Sequence, residues 1–305
     1  MKFNQIIDVP KTLIFLSILS IAWLVVLFGF FDNPAELVSG NWQITPIAFI
    51  AATIANATAI GGGFLFVPLF IFVYGLDTLS ALKLSLSTQA FGMTSGSLGW
   101  SRSFIITESL IIVAIFSGIG MYAGTFEFIV SGFFIKSIFG WVSILLFLII
   151  LLEIKFGESS HNTKIENDSV LKAGLFALVC FFGGLITAWA AIAIGEVVAL
   201  YLLFAYRIRI ESAIATGVAA LAINSIYGFM FHIYLGGINW DYLLFTAPGV
   251  IMGGFFGARL GKMFEKYNHR ISEEQHKPAH SPLKYILAVV ILINGIIMLV
   301  YTHLK

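Results

Sequence analysis

Three parts of this 305-residue sequence have residue types that could bind or carry a small charged species. The first is Gly61–Gly63, which interrupts a long apolar run and is followed by Pro68. Glycine permits backbone conformations that a helix interior does not use, and proline removes a backbone donor. Amides left free at such a break, with the positive end of the following helix, can bind an anion. A tight turn without a ligand is the alternative interpretation.

Lys83 is the second candidate, because it lies inside an apolar segment close to the start of a predicted helix. A lysine inside a membrane span costs roughly 2.5–3.5 kcal/mol on insertion scales, so it is usually paired, extended to the interface or functional. Ser87 lies one helical turn further along the same face, and Thr94 continues that face. The sequence leaves two interpretations open, substrate binding with Ser87 or extension of the lysine to the outer interface.

Glu196 is the third candidate, in a segment Ala191–Val198 that is similar to the first break but has the glutamate where a glycine stood. A carboxyl group near the middle of a membrane favours its protonated form unless a cation pairs with it. We therefore interpret Glu196 as a coupling residue, and an ion pair with Lys83 is the alternative. Five other polar residues are secondary substrate-binding candidates, although such residues more often form hydrogen bonds between helices: Asn56, Thr58, Gln89, Thr216 and Asn224.

The composition indicates which elements position these residues. Hydrophobic residues make up 59% of the chain and charged residues 11%, less than half of the roughly 25% usual in soluble proteins. Several apolar runs approach the 20 or so residues that cross a bilayer as a helix, and they lack the alternation of a membrane barrel. The sequence therefore predicts an all-α polytopic membrane protein, and its net charge of +1 does not suggest a nucleic-acid partner.

The apolar runs fall into two length classes. Two of them, Ile44–Val73 and Ala173–Tyr206, are too long for one crossing, too short for two, and broken at Gly61–Gly63 and Gly195-Glu196. A re-entrant hairpin explains both. A polar connection is predicted at Asp32–Gln43 and a polar loop at Gly261–Pro282. Seven runs fit full spans: Leu13–Phe31, Leu79–Trp100, Ile105–Ala123, Phe128–Leu152, Ile214–Leu235, Tyr242–Leu260 and Leu283–Tyr301.

The chain then divides into an N-terminal helix with its connection (1–43), a first repeat (44–152), a cytoplasmic linker (153–172) and a second repeat (173–305). With both hairpins returning to their side of entry, the lysines and arginines outside the spans face the cytoplasm, except Lys305. This topology places the N-terminus in the cytoplasm and the C-terminus outside the cell membrane. Each repeat is one hairpin plus three spans, so the two repeats are inverted relative to each other.

Small residues at helical spacing recur in both halves and predict close helix packing in lipid. Ser85, Thr88, Gly92 and Gly96 match Gly217, Ala220, Asn224 and Gly228 in spacing. Likewise, Gly120 and Gly124 match Gly253 and Gly257.

Six stretches follow an order that is partly duplicated across the two halves: Ile60–Leu69, Gly75–Asp77, Ala81–Leu86, Ile210–Val218, Gly237–Leu244 and Gly253–Leu260. They resemble the sulfite exporter TauE/SafE family, also called the toluene-sulfonate uptake permease family. The resemblance covers roughly residues 45–300, and it implies an integral membrane transporter for small anions such as sulfite, sulfonates or other organosulfur compounds. The sequence departs from the family pattern at Gly195–Val197, which replaces a second glycine triplet, and at Lys83, where a small residue is usual.

We therefore expect a secondary transporter of sulfite, sulfonates such as sulfoacetate or related compounds, working by alternating access with substrate between the hairpin tips. The coupling ion would be a proton if Glu196 carries it, and an anion channel is the alternative function. The sequence shows no Walker-type loop, serine–histidine pair or carboxylate dyad in a suitable context, so no enzyme activity and no cofactor are expected.

The expected partners are the anion and the lipid bilayer, and a homodimer is left open. A hydrophilic segment combines three histidines with two glutamates, but a solvated loop is favoured over a metal site there. These residues are His269, Glu273, Glu274, His276 and His280.

Overall fold

The computed structural model describes residues 9–58, 61–100, 104–156, 165, 169–275 and 282–303, and every regular element in these ranges is a helix. A π-helical turn, Leu69–Val73, directly follows the helix Gly63–Pro68, and another, Ala123–Glu127, directly follows the helix Thr107–Tyr122. The α-helices are α1 (Val9–Phe30), α2 (Pro34–Asn41), α3 (Ile44–Thr58), α4 (Gly63–Pro68), α5 (Thr78–Gly99), α6 (Thr107–Tyr122), α7 (Gly132–Phe156), α8 (Val170–Ala190), α9 (Ile194–Phe204), α10 (Ile210–Leu235), α11 (Trp240–Gln275) and α12 (Pro282–His303).

Length and hydropathy identify five membrane-crossing helices among the described residues, or six if the bent pair α2–α3 is one span. These five are α6 with its π-helical turn, α7, α8, α10 and the first part of α11. The seven predicted spans exceed this number. Helix α5 has 22 residues, but serine, threonine and glutamine side chains lower its hydropathy, and most of these are buried inside the protein. The described apolar parts of α1 and α12 are shorter than a full span.

The two broken segments are confirmed as long helix, break and short helix. In the first half, α3 ends at Thr58 and α4 begins at Gly63. In the second half, α8 ends at Ala190 and α9 begins at Ile194. Helix α9 has 11 residues, so it is about 16 Å long and cannot cross a hydrocarbon core of about 30 Å.

The second break does not lie where the sequence analysis placed it. The helix is interrupted at Ala191–Ala193, while Gly195 and Glu196 belong to the first turn of α9. A glutamate in the first turn of a helix can accept hydrogen bonds from free amides and interacts favourably with the helix dipole. Glu196 therefore lies in the first turn of the short helix α9 and does not interrupt the long helix α8.

Two predicted polar connections are partly helical. The connection Asp32–Gln43 contains α2, whose first position is Pro34, a residue with a φ angle suited to a helix start. The predicted loop Gly261–Pro282 is helical as far as Gln275, because α11 continues beyond its apolar part. Most of the predicted linker 153–172 lies outside the described residues, apart from the ends of α7 and α8.

Several helices of each half of the chain pack against helices of the other half. Helix α11 packs along α3 and α5, and in the same way α6 packs along α8 and α10. Helix α5 also packs on α10, and α7 packs on α12. In each half the break is followed by a short helix and three longer ones. The pairs α5–α10 and α7–α12 join helices at corresponding positions, and the contact of α11 with α3 is equivalent to that of α6 with α8.

Glycines allow the closest of these approaches. A Cβ atom at Gly253 would overlap the carbonyl oxygen of Phe49 on α3, and one at Gly120 would overlap that of Phe181 on α8. The small residues at helical spacing therefore pack helices together, as predicted. Helix α1 lies outside this arrangement and contacts α11, where the Trp23 indole donates to the Leu244 carbonyl over 3.0 Å.

Candidate functional site

The two helix breaks contact each other inside the protein. Gly61–Gly63 and Ala191–Glu196 are all buried, and Gly63 lies so close to the Ala191 carbonyl that a side chain at position 63 would overlap it. Irregular backbone at membrane depth is tolerated only where protein surrounds it or a cavity hydrates it. The breaks meet this condition by covering each other.

One carboxylate joins the two breaks. Glu196 Oε1 accepts a hydrogen bond from the backbone amide of Gly61 over 2.5 Å, and Oε2 accepts one from the amide of Ala193 over 3.2 Å. The Glu196 side chain is 6% exposed. Glu196 therefore uses one free amide from each half of the chain.

The first break has ordinary backbone geometry. None of Gly61–Gly63 has a positive φ, and Gly62 is in the right-handed helical region with φ −54° and ψ −21°. The Gly61 carbonyl accepts from the Phe64 amide over 3.2 Å, and the Gly62 carbonyl accepts from the Phe66 amide over 2.8 Å. What the structure requires at this break is the lack of a side chain, because a Cβ atom at Gly63 would overlap the Ala191 carbonyl.

The second break carries the unusual angles without any glycine. Ala191 has φ 57° and Ala193 has φ 106°, values that non-glycine residues rarely adopt. The Thr187 hydroxyl stabilises this turn, since it lies 2.8 Å from the Ile192 carbonyl and accepts from the Ile194 amide over 3.2 Å. Sequence reasoning missed Thr187; its only signal was a hydroxyl one turn before the end of a membrane helix.

Gln89 on α5 is brought into the same place. Its Nε2 donates to the Ala191 carbonyl over 3.1 Å and to Ser85 Oγ over 3.1 Å. Its Oε1 has no hydrogen-bond partner in the described part of the chain, although the side chain is only 1% exposed. A Cβ atom placed on Gly61 would lie 3.1 Å from Glu196 Oε1 and 3.8 Å from Gln89 Oε1. The structure thus assembles Gly61, Gln89 and Glu196 around one point.

Lys83 lies apart from this group. Its ammonium donates to the carbonyl of Gly236 over 2.8 Å, at the C-terminal end of α10, where a helix dipole favours a cation. Ser87 donates back to the Lys83 carbonyl within α5 over 2.7 Å. The alternative that Glu196 pairs with Lys83 is not what the structure shows, because each side chain has backbone partners elsewhere.

His232 lies one turn before Gly236, whose carbonyl accepts from Lys83. The imidazole is 4% exposed, and neither ring nitrogen has a hydrogen-bond partner among the described residues. Lys83 and His232 therefore form a second polar pair near the loop between α10 and α11.

Two of the predicted polar residues on α10 bond to α6 and the segment before it. Thr216 Oγ1 accepts from the amide of Ile106 over 3.0 Å, which positions the segment before α6. Asn224 Nδ2 donates to the Ser117 carbonyl on α6 over 3.1 Å. Both therefore make the helix-to-helix contacts that were their alternative interpretation.

The two polar residues at the end of α3 bond mainly within their own helix. Asn56 Nδ2 donates to the Ala52 carbonyl over 2.9 Å, and Thr58 Oγ1 donates to the Ile54 carbonyl over 2.9 Å. Asn56 Oδ1 has no partner among the described residues and lies against Gly96 of α5. These residues hold the helix that leads into the first break.

No cluster of three or more histidine, cysteine, aspartate or glutamate side chains occurs among the described residues. This statement does not extend to the hydrophilic segment with three histidines. His276 and His280 lie outside the described residues, and the side chains of His269, Glu273 and Glu274 are not described.

Comparison with known proteins identifies relatives of this chain. The family described as sulfite exporter TauE/SafE matches residues 44–298. The probable membrane transporter protein YunE of Bacillus subtilis (strain 168) is 24% identical over 244 residues, which cover 72% of this chain and 88% of that protein. No solved structure matches the chain significantly.

Proposed function

Because the chain belongs to the sulfite exporter TauE/SafE family, we propose that it is a secondary transporter of small sulfur-containing anions, such as sulfite or sulfonates like sulfoacetate. The family match and the apolar helices make it a multi-pass membrane transporter. Its substrate, its mechanism and its residue roles are our proposal, and the contact between the two helix breaks is the observation that carries it.

Backbone amides at the two breaks are suitable donors for an anion. Gly61 and Ala193 present amides to one buried carboxylate, so the same place can accommodate an oxygen of a sulfonate or of sulfite. Broken helices whose N-terminal ends meet near the bilayer centre are typical of substrate sites in secondary transporters. We therefore assign the amides of Gly61–Gly63 and the side chain of Gln89 to substrate binding, and Glu196 to coupling.

Lys83 and Ser87 would contact the anion earlier, during its entry to the binding site. They lie on α5 closer to the loop between α10 and α11, so an anion entering from that side would meet the Lys83 ammonium before it reaches Gln89. The remaining candidates have helix-positioning contacts in this conformation, and a direct role would require rearrangement. They are Asn56, Thr58, Thr216 and Asn224.

Alternating access follows from the arrangement of the halves. The exchange of helix contacts between them supports a repeat, and the two short helices support re-entrant hairpins. Combined with the distribution of lysine and arginine, these features favour inverted repeats, a cytoplasmic N-terminus and an external C-terminus.

Flux measurements in proteoliposomes test this proposal. We expect Lys83→Ala and Glu196→Gln to abolish sulfonate or sulfite flux while folding is retained. Lys136→Ala and Glu108→Gln are matched controls, because Lys136 lies in α7 beside the ring of Tyr301 and Glu108 is exposed at the start of α6. Unchanged flux in both test variants would contradict the site assignment.

The same preparation separates a transporter from an anion channel. A transporter shows saturable flux and accelerated exchange when substrate is present on both sides of the membrane. Conductance across a planar bilayer without saturation or exchange would instead favour the channel. The buried contact between the breaks favours the transporter, since both breaks are closed against each other.

A further inference from the structure

We propose that the Glu196 carboxylate is a built-in competitor of the transported anion, which holds the Gly61 amide when ionised and releases it when protonated. This inference rests on the proposed anion transport and specifies how a proton would be coupled to it.

Competition follows from the hydrogen bond between the two breaks. A backbone amide has one hydrogen, and that of Gly61 points at Glu196 Oε1 over 2.5 Å. A sulfonate or sulfite oxygen is chemically similar to a carboxylate oxygen in charge and in accepting hydrogen bonds. The Glu196 carboxylate and the substrate anion cannot both accept a hydrogen bond from the Gly61 amide. Two negative charges beside the same amide would also repel each other strongly in a buried site.

Among the described residues, the surroundings of Glu196 offer it no cation. The groups that contact it or lie beside it are uncharged: the amides of Gly61 and Ala193, and the side chains of Gln89 and Leu221. Among the described residues no charged side chain acts on Glu196, and Lys83 donates to the Gly236 carbonyl instead. The carboxylate is therefore held by amide hydrogen bonds alone, and one of these is the bond that a substrate anion would need.

Gln89 supplies a hydrogen-bond acceptor for the protonated Glu196 side chain. Buried acceptors almost always have a donor, yet Gln89 Oε1 has none in the described structure and is beside the same point as Glu196 Oε1. A protonated Glu196 has an O–H group that can donate to this oxygen after a change of rotamer. One proton from the solvent joins the carboxylate, its O–H donates to Gln89, and the Gly61 amide then donates to the substrate.

This exchange determines the direction of coupling. The anion binds best to the protein that already carries the proton, so both are transported in the same direction, and a singly charged anion moves without net charge. By linkage, uptake of one proton strengthens anion binding by up to about tenfold for each unit that the pH falls.

Binding measurements on the purified full chain test this inference. The probe is methanesulfonate, the anion of a strong acid, so its own charge stays constant over a measured range of about pH 5 to 8. We expect wild-type affinity to increase as the pH falls. Glu196→Gln, which imitates the protonated acid, should bind with an affinity that does not change with pH, and Glu108→Gln should keep the wild-type slope.

Two further variants test the same inference independently. Glu196→Ala removes the competitor, so we expect it to bind methanesulfonate more tightly than the wild type at about pH 8, with no pH dependence. Gln89→Leu removes a side chain that we assign to substrate binding, so methanesulfonate affinity should fall at every pH. Its pH dependence should also shift to lower pH, because the protonated acid loses its acceptor at Gln89 Oε1. If Glu196→Ala does not fold, Glu196→Gln still decides the question, because its side chain cannot ionise and its anion binding must then be independent of pH.

The outcomes distinguish the inference from the proposed function. Wild-type binding that is independent of pH, or a pH dependence that persists in Glu196→Gln, would overturn the competitor role while leaving anion transport intact. Absence of methanesulfonate, sulfite and sulfoacetate binding at every pH in every variant would contradict the proposed function itself, and the competitor role with it.

Discussion

The two helix breaks interrupt a membrane helix by different means. At the first break, three glycines keep ordinary backbone angles and are bonded by their own backbone. At the second break, Ala191 and Ala193 have positive φ angles, and side chains bond the turn. The first break thus depends on the absence of side chains at its glycines, and the second on a strained backbone conformation at two alanines.

This difference follows from how the breaks meet. The Ala191 carbonyl points at Gly63, so the first break must have no side chain there. That carbonyl also accepts from Gln89, which helps hold Ala191 in its left-handed conformation. Strained residues of this kind cost about 1–3 kcal/mol each and persist only where the surroundings over-determine them, commonly at functional sites. The strained break is also the one followed by Glu196, so strain and the coupling candidate lie in one half.

The largest expected effect tests the need for space. Gly63→Ala would place a Cβ atom over the Ala191 carbonyl and 2.7 Å from Ile192 Cγ2, so we expect a loss of about 3 kcal/mol of unfolding free energy, at the upper end for overpacking. Thermal unfolding of the purified protein measures it. Gly174→Ala in α8 is the control, because a Cβ there meets nothing within 4 Å. Equal stability of the two variants would show that the breaks do not touch as described.

A smaller effect of opposite sign tests the strain. Ala193→Gly should stabilise the protein by about 1 kcal/mol, since glycine adopts φ 106° freely and this gain exceeds the added entropy of the unfolded chain. Ala199→Gly is the matched control within α9, where glycine should instead cost about 1 kcal/mol. If both substitutions destabilise equally, the second break is not strained at Ala193.

The smallest effect compares the helices that follow the breaks. Asp77 caps α5 by accepting from the amides of Leu79 and Ser80, whereas Arg209 at the start of α10 makes no such cap. Hydrogen bonds from the Ser80 side chain and then from these amides hold the pKa of Asp77 below its ordinary value of 3.8. We expect Asp77→Ala to lose about 1 kcal/mol, and Arg209→Ala to leave no comparable capping loss.

The pH dependence of this contribution has a defined sign. Because the pKa of Asp77 is lower in the folded protein, the stabilisation is fully present above pH 3.8 and is lost as the pH falls through the folded value. Unfolding curves of wild type and Asp77→Ala should therefore converge in acid. A difference that stays constant down to the lowest pH would assign the effect to packing and not to the ionised cap.

Much of the fold was predictable from local properties of the sequence. The apolar runs and low charge predicted membrane helices, and the lengths of Ile44–Val73 and Ala173–Tyr206 predicted that both are broken. The position of the second break was not predictable, because Gly195 is the expected helix breaker there and two alanines carry the unusual angles instead. Only surrounding contacts compensate the conformation of an alanine with positive φ, and these are not visible in a local pattern.

The candidate site was likewise predictable only in part. The sequence by itself determined that Gly61–Gly63, Lys83 and Glu196 are exceptional, since glycine triplets and charges are costly inside an apolar helix. Only the tertiary structure decided which of them act together. Glu196 bonds to Gly61 across 135 positions of the chain, while Lys83 turns to the end of α10. Residue type sets the cost of placing a group in the membrane, but the packing of distant helices determines which partner offsets that cost.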